Sequence, residues 1–157
     1  MFETPYSGRF AAGAHLFALR VYFEDTDAGG VVYHASYLRF MERARSDMMR
    51  LAGVDQRGAM ERGAGNYVVY EMNIRYRMPA RLDDELLVVS RVGDMRAAQC
   101  VVHQRVMRGT ELVVEADVSV ALIGSDGRPK RQPREWIETF ERLKTEDKRL
   151  KGTDENR

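Results

Sequence analysis

Residues 35–53 carry the hydrophobic pattern of one long amphipathic helix. Apolar side chains recur there at helical spacing, while arginines and a glutamate occupy the other faces. Gly53 follows the last apolar position, where helices commonly end in a left-handed residue. The apolar face consists of Tyr37, Phe40, Met41, Ala44, Met48 and Leu51.

After this helix the pattern changes to alternation. In residues 66–79, apolar and polar side chains alternate as far as Pro79, which predicts a long strand with one buried face. Four further segments, rich in branched and aromatic residues, also predict strands. These segments are residues 15–23, 85–92, 97–107 and 111–123.

A second, shorter amphipathic helix is predicted at residues 133–144, where Trp136, Ile137 and Phe140 form the apolar side. The residues that follow are nearly all polar and predict a flexible tail. Only one domain is expected from the length and pattern of the chain. The predicted organisation is an N-terminal extension, one domain and a charged, flexible tail, at residues 1–14, 15–145 and 146–157 respectively.

The order of elements predicts an α+β fold with a five-stranded antiparallel sheet. One strand precedes the long helix, and four strands then follow one another through short connections, which favour antiparallel pairing. A single long helix covers one face of such a sheet. The other face or an edge of the sheet would then need another chain.

The composition excludes several classes of function. The chain has 157 residues and a net charge of +1, so no overall charge attracts nucleic acid or an anionic membrane. The single cysteine, Cys100, can form neither an intramolecular disulfide nor a thiolate zinc site. Because no signal peptide or membrane-length apolar run is present, we expect a soluble, cytoplasmic protein without membrane insertion.

Candidate chemistry is concentrated in the segment 23–37, which reads "FEDTDAGGVVYHASY". A calcium loop beginning at Asp25 would need a glutamate at its twelfth position, which is Ser36, so that interpretation fails. The spacing does not force His34, Asp27 and Asp25 together as transition-metal ligands. A phosphatase of the haloacid-dehalogenase type also uses an Asp-x-Asp motif, but its parallel sheet does not fit four consecutive strands.

The same segment fits a different family. The chain resembles hotdog-fold acyl-CoA thioesterases of the 4-hydroxybenzoyl-CoA thioesterase type, closest to the Tol–Pal-associated YbgC-like branch, over roughly residues 18–140. The resemblance implies a sheet wrapped around one long central helix, in a homodimer or tetramer with active sites between subunits. It implies hydrolysis of an acyl-CoA to free acid and CoA, with no metal and no cofactor besides the substrate. The motifs that carry it are "YFEDTDAGGVVYHASYLRFMERAR", "RYRMPARLDDEL", "VGDMRAAQCVVHQRV" and "GRPKRQP".

The resemblance also implies roles for residues in the loop. Its catalytic carboxylate falls on Asp27, and His34 is the second catalytic candidate. A backbone amide near His34, at the start of the long helix, would bind the developing oxyanion. The residues alone also allow Asp27 to be a turn cap and His34 a simple first-turn residue. Substrate contacts near the loop are expected from Gly30, Val32 and Tyr33.

Phosphate groups of CoA require basic side chains. The resemblance implies Arg96, Lys130 and Arg131 for this role, and "RPKRQPR" at 128–134 contains four basic residues and no acid. A solvated turn would explain the same charges. A second function therefore stays open, in which the protein binds acyl-CoA or acyl carrier protein as a scaffold of the cell-envelope machinery, with little turnover. A dehydratase is disfavoured because its Asp/His motif is absent.

Overall fold

The computed structural model describes residues 1–154, with side chains described as far as Asp147. One sheet contains six strands in the order β1-β2-β4-β5-β6-β3, and every pair is antiparallel. The strands are β1 (Arg9–Ala11), β2 (Ala14–Arg20), β3 (Asn66–Tyr76), β4 (Glu85–Met95), β5 (Gln99–Arg108) and β6 (Glu111–Ile123). The helices are α1 (Ser36–Leu51), α2 (Gln56–Glu61) and α3 (Arg134–Asp154), with a 3-10 turn at Phe23–Asp25.

The predicted fold class is confirmed, but the predicted strand number is wrong. The sixth strand, β1, lies in the segment predicted as an N-terminal extension and pairs with β2. The strand predicted at 15–23 ends earlier, at Arg20, because the chain then turns into the 3-10 helix. The last helix continues past Lys144 into the predicted tail, and residues 155–157 of that tail lie outside the described residues.

Helix α1 packs on one face of the sheet, as its apolar pattern predicts. Phe40, Met41 and Ala44 are almost completely buried, at 2%, 0% and 0% exposure. They join one core with the inward side chains of the strands, which include Leu86, Val88, Val102, Val106 and Val118. The central position of this helix thus follows from burial of one apolar stripe.

Strand β3 lies at an open edge of the sheet and departs from its predicted pattern. Its pairing with β6 shifts register between Val69 and Glu71, which indicates a β-bulge. Val68, Val69 and Tyr70 are therefore all substantially exposed, at 43%, 42% and 51%, although alternation predicts a buried face for two of them. The result is a long, partly apolar edge without a pairing strand among the described residues.

At the opposite edge of the sheet, next to β1, a buried polar cluster joins α1 to the N-terminal segment. The Asp47 carboxylate accepts hydrogen bonds from Ser7 Oγ (3.0 Å), the Gly8 N–H (2.8 Å) and His15 Nε2 (2.7 Å). His15 is completely buried, and its other nitrogen, Nδ1, has no hydrogen-bond partner in the part of the chain whose side chains are described. Because a protonated Nδ1–H would also lack an acceptor, this arrangement favours neutral His15 facing an ionised Asp47.

We expect this cluster to make stability fall on mild acidification. Burial lowers the pKa of His15 below its ordinary value of 6.5, against the opposing effect of Asp47. The unfolded chain therefore takes up a proton first as pH falls below about 6.5, and folding loses stability in that window. One proton limits the loss to about 1.4 kcal/mol per pH unit. Chemical denaturation of the wild type between pH 7.5 and 5 should show this slope.

The assignment to His15 is tested with a substitution that removes the ionisable imidazole but keeps a hydrogen-bond donor for Asp47. His15→Gln should flatten the dependence of the unfolding free energy on pH, whereas His34→Gln, at an exposed histidine whose ring has no hydrogen bond or ion pair among the described residues, should leave it intact. Equal slopes in the wild type and in His15→Gln would contradict the assignment to His15.

Candidate active site

The loop between β2 and α1 is a tight hairpin. Tyr33 donates its N–H to the Asp25 carbonyl (2.8 Å), and Asp27 donates its N–H to the Val31 carbonyl (2.9 Å). The Gly30 N–H closes the turn on the Asp27 carbonyl (3.0 Å), and its φ of +79° is a conformation that glycine adopts without strain. The glycine is thus needed for the turn, which presents Asp27 at its first position.

One oxygen of the Asp27 carboxylate is held by the loop and the other is free. Oδ1 accepts the backbone N–H groups of Gly29 (2.8 Å) and Val31 (3.3 Å). Oδ2 has no hydrogen-bond partner within the described residues, and no hydrogen bond joins Asp27 to His34. A fixed carboxylate with one available oxygen can accept a proton from water or attack a carbonyl carbon.

Asp25, the other carboxylate of the loop, has a structural position. It is 9% exposed, and its Oδ2 accepts the Tyr22 N–H at 2.9 Å. The Asp25 carboxylate is thus tied to a loop amide. The two aspartates of the motif therefore differ, because Asp25 is buried in the loop whereas Asp27 is half-buried and keeps one oxygen without a hydrogen bond to the described residues.

The start of α1 supplies backbone donors beside the loop. The N–H groups of His34 and Ala35 have no acceptor among the described residues, whereas Val32 donates to the Ala80 carbonyl (2.8 Å). The side chain of Val32 is 5% exposed and joins the core, while the side chains of Tyr33 and His34 are exposed. Free N–H groups at a helix start are suited to a developing negative charge.

Aromatic packing positions this helix start. The Tyr76 hydroxyl on β3 donates to the His34 carbonyl at 3.0 Å, and the Tyr33 and His34 rings lie 4.6 Å apart. Tyr37 is buried against Tyr76, with ring centroids 5.8 Å apart, so it packs as the sequence predicts. The end of β3 is thereby connected directly to the candidate oxyanion donors.

The loop is supported by a cluster of contacts around Arg108, here called the Arg108 brace, which the sequence did not predict. Arg108 donates to the Asp84 carboxylate (2.8 Å), the Glu111 carboxylate (2.9 Å) and the Pro79 carbonyl (3.2 Å). A backbone N–H bond from Arg81, together with Arg108, lowers the pKa of Asp84 below its ordinary value. The braced turn carries the Ala80 carbonyl that holds Val32. No local signal marks Arg108, because its partners lie up to 29 residues away.

The predicted phosphate-binding residues lie together elsewhere. Arg96, Lys130 and Arg131 are all exposed. The segments that carry them are joined by Gln132, which is 2% exposed and donates its Nε2 to the Arg96 carbonyl (2.8 Å). Its Oε1 accepts the Tyr67 hydroxyl at 2.5 Å. The sequence did not single out Gln132, which is the residue that brings the two basic segments side by side.

Within one chain, this basic group and the Asp27 loop occupy opposite ends of the sheet. The loop follows Arg20, which pairs with Glu85 at the start of β4, whereas Arg96 follows the end of β4. The 11 residues of β4 span roughly 35 Å in extended form. The predicted site residues therefore form two groups that a single chain does not bring together.

A small apolar cavity, here called the α1 cavity, lies between the second half of α1 and the sheet, at the end that carries the basic group. Its volume is about 120 Å³. It is lined mostly by apolar side chains, with Glu42, Arg45, Ser46 and Gln56 as polar members. The apolar lining includes Met48, Met49, Tyr67, Val69, Val92, Cys100, Val102, Val120 and Phe140.

Other kinds of site find little support in residues 1–154. Among the side chains of residues 1–147, no cluster of three or more histidine, cysteine, aspartate or glutamate residues is arranged to hold a metal ion. Burial raises the pKa of the Cys100 thiol to about 12, which makes it a poor nucleophile. No helix in that range is long and apolar enough to cross a bilayer.

The antiparallel sheet packed on one long helix, with a carboxylate loop at the helix start, defines a hotdog-type α+β domain. The chain belongs to the thioesterase-like superfamily, whose family model matches residues 21–142. It is 41% identical over 129 residues to the acyl-CoA thioesterase YbgC of Haemophilus influenzae, covering 82% of this chain and 95% of that protein.

Solved structures agree with this assignment. The crystal structure of a probable thioesterase from Bartonella henselae is 37% identical, with a TM-score of 0.72, and the match covers 76% of this chain and 99% of that one. A 4-hydroxybenzoyl CoA thioesterase, 24% identical, has the same fold, with a TM-score of 0.74 and coverage of 81% and 98%. The family that the sequence motifs indicate is confirmed.

Proposed function

We propose that this protein is an acyl-CoA thioesterase that hydrolyses its substrate to a free acid and CoA. The observation that carries the proposal is the Asp27 carboxylate, with one oxygen held by loop amides and the other free, beside a helix start. Relatives at about 40% identity that span most of the chain carry this activity in their names. A CoA ester as substrate agrees with a cytoplasmic location.

Two chemical routes use the free oxygen of Asp27. As a general base, Asp27 takes a proton from water while the water oxygen adds to the thioester carbonyl; the tetrahedral intermediate then breaks its C–S bond, and CoA leaves as the thiol with the proton held by Asp27. As a nucleophile, it forms a mixed anhydride and releases CoA thiolate, and water then cleaves the anhydride. In either route the negative charge on the carbonyl oxygen would be stabilised by the free N–H groups of His34 and Ala35.

The separation of the two site groups supports a homodimer joined through β3. This edge strand has no neighbour on its outer side within the described residues, and it exposes Val68, Val69 and Tyr70. Two antiparallel β3 strands related by a two-fold axis would bring the Tyr67 end of one chain beside the Tyr76 end of its partner. The Tyr67 hydroxyl is hydrogen-bonded to Gln132, beside the basic group, and the Tyr76 hydroxyl is hydrogen-bonded to His34, at the helix start beside the Asp27 loop.

Each active site would then be shared between two chains. One chain would contribute Asp27, Gly30, Tyr33 and His34, and the other would contribute its α1 cavity and its basic group. The basic group would bind the phosphates of CoA, because exposed arginine and lysine side chains suit phosphate oxygens. Val32 would support the loop from within the core.

The decisive experiment measures release of free thiol from a panel of acyl-CoAs, from short aliphatic through long-chain to aromatic, with a chelator present. We expect turnover of at least one member of the panel and a KM that rises with ionic strength, because the phosphate contacts are screened. Absence of turnover on every ester would remove the enzymatic proposal.

A binding role is the second candidate, favoured by one observation. The segment 128–134 has four basic residues without an acid, and Arg128, Lys130 and Arg131 are exposed. Such a surface would suit an acidic acyl carrier protein. A scaffold would bind acyl-CoA or the carrier without a rate that depends on Asp27, so the same assay separates the two candidates.

A further inference from the structure

We propose that the α1 cavity takes an acyl group whose far end carries a carboxylate, and that Arg45 is the residue that recognises it. This inference rests on the proposed thioesterase function and adds to it the class of acyl group. The preferred substrate would be the monothioester of a short dicarboxylic acid.

Arg45 projects from the middle of α1 into the core. It is half-buried and lines the α1 cavity, and its Nη1 donates to Gln104 Oε1 at 2.8 Å. Gln104, at 1% exposure, donates its Nε2 to the Met41 carbonyl (3.0 Å) and to Ser90 Oγ (2.9 Å). These two bonds fix the Gln104 amide with its oxygen toward Arg45, so the guanidinium has a defined position.

No carboxylate forms an ion pair with this guanidinium in the described part of the chain. Burial lowers the pKa of Arg45, although the charge of Glu42 opposes that effect. Glu42 lies beyond ion-pair distance, and its Oε1 accepts the Ser46 hydroxyl at 2.7 Å. A partly buried cation whose direct acceptor is a neutral amide is an unusual arrangement, because charges removed from water are normally paired.

Arg45 also retains donors for a ligand. A guanidinium has five N–H groups, and only one described bond uses them. Its remaining nitrogens keep some contact with open space, since His15 Nδ1 is the one fully buried, unpaired side-chain nitrogen or oxygen among the side chains described, those of residues 1–147. A carboxylate entering the cavity would supply both the missing charge and acceptors in the planar geometry that arginine prefers.

The rest of the cavity sets the length and polarity of the acyl chain. Apart from its few polar members, the lining is apolar and includes Met48, Met49, Val102, Val120 and Phe140. Its volume of about 120 Å³ is somewhat below the roughly 150 Å³ of an apolar cavity that accepts benzene. The space therefore suits a chain of about four to five carbons, with apolar walls along the methylenes and one cation at the end.

The test compares two ligands of equal shape and different charge. Glutaryl-CoA ends in a carboxylate, whereas 5-methylhexanoyl-CoA ends in an uncharged isopropyl group at the same position. Equilibrium binding of both is measured by calorimetry to the Asp27→Asn protein, so that the esters persist and binding is scored separately from hydrolysis. We expect the Kd of glutaryl-CoA to be at least about 10-fold lower than that of 5-methylhexanoyl-CoA, because a hydrogen bond between charged groups has about that strength.

Two further variants, each made in the Asp27→Asn protein, assign the preference to one residue. Arg45→Gln should abolish or reverse the ratio of the two affinities, whereas Arg43→Gln, at an exposed arginine of the same helix, should preserve it. Because the ratio of the affinities is independent of the folded fraction, a partly unfolded variant still tests the assignment. The inference is overturned if the two esters bind equally, if neither binds, or if the preference survives in Arg45→Gln. Turnover of 5-methylhexanoyl-CoA by the wild type with no charge preference would leave the thioesterase proposal intact.

Discussion

Asp27→Asn is expected to lower kcat/KM for the best acyl-CoA by ~10²–10⁴-fold, the usual loss for a positioned acid–base group. Asparagine keeps an oxygen that can accept the Gly29 and Val31 amides, so the loop should hold its shape. What it loses is the basic, nucleophilic oxygen. Free-thiol release under first-order conditions measures the effect, with circular dichroism and melting temperature as folding checks.

The matched control for this variant is Glu24→Gln. Glu24 is an exposed carboxylate three residues before Asp27, and its substitution removes the same charge from the same loop. Its rate should stay within about two-fold of the wild type, as expected for a surface site without a structural feature. Equal rates for the wild type and Asp27→Asn would show that Asp27 takes no part in the reaction. Single-turnover hydrolysis in ¹⁸O-water, with the label found in Asp27, would identify the anhydride route.

A shared active site predicts that two inactive proteins restore each other. The first is Asp27→Asn, and the second combines Arg96→Ala, Lys130→Ala and Arg131→Ala. In a mixed dimer, one site pairs the intact Asp27 of the second chain with the intact basic group of the first. Random pairing should therefore recover about a quarter of the wild-type kcat/KM at low substrate concentration, because half of the dimers have one good site of two.

This experiment is best done by co-expressing the two chains with different tags. The separately purified parents, mixed without subunit exchange, are the control and should show only the average of their own low rates. Purified mixed dimers that are no more active than this average would contradict the shared site. They would favour an arrangement in which each chain binds CoA phosphate near its own loop.

The periodic elements of this fold could be predicted because their signals are local. The strand predicted from branched residues at 111–123 and the helix predicted from apolar spacing at 35–53 match β6 and α1 closely. Strand β1 could not be predicted, since its three residues carry no alternation and the segment before it is held by Asp47, far along the chain. The length of α3 was underestimated because its last part has helix-favouring glutamate, lysine and leucine without an apolar stripe.

The candidate site also has one part that local sequence signals predict and another part that they do not. The hairpin around Asp27 is built from contacts within about ten residues, so the motif alone indicates a turn, a carboxylate and a helix start. The brace at Arg108 and the pairing of Arg45 with Gln104 join segments that only strand register brings together. The distance between Asp27 and Arg96 likewise depends on which end of β4 each one follows, which no local pattern reports.

The two edges of the sheet differ in a way that bears on how copies of the protein associate. The β1 edge is three residues long, and buried Asp47 ties the segment before it to α1, so it offers little backbone to an approaching strand. The β3 edge is eleven residues long and exposes valine and tyrosine. In the proposed dimer joined through β3, the combined sheet would end in two short β1 edges, so growth would stop at a pair. An isolated chain would keep its open edge, so a substitution that blocks β3 pairing would favour fibrous aggregation.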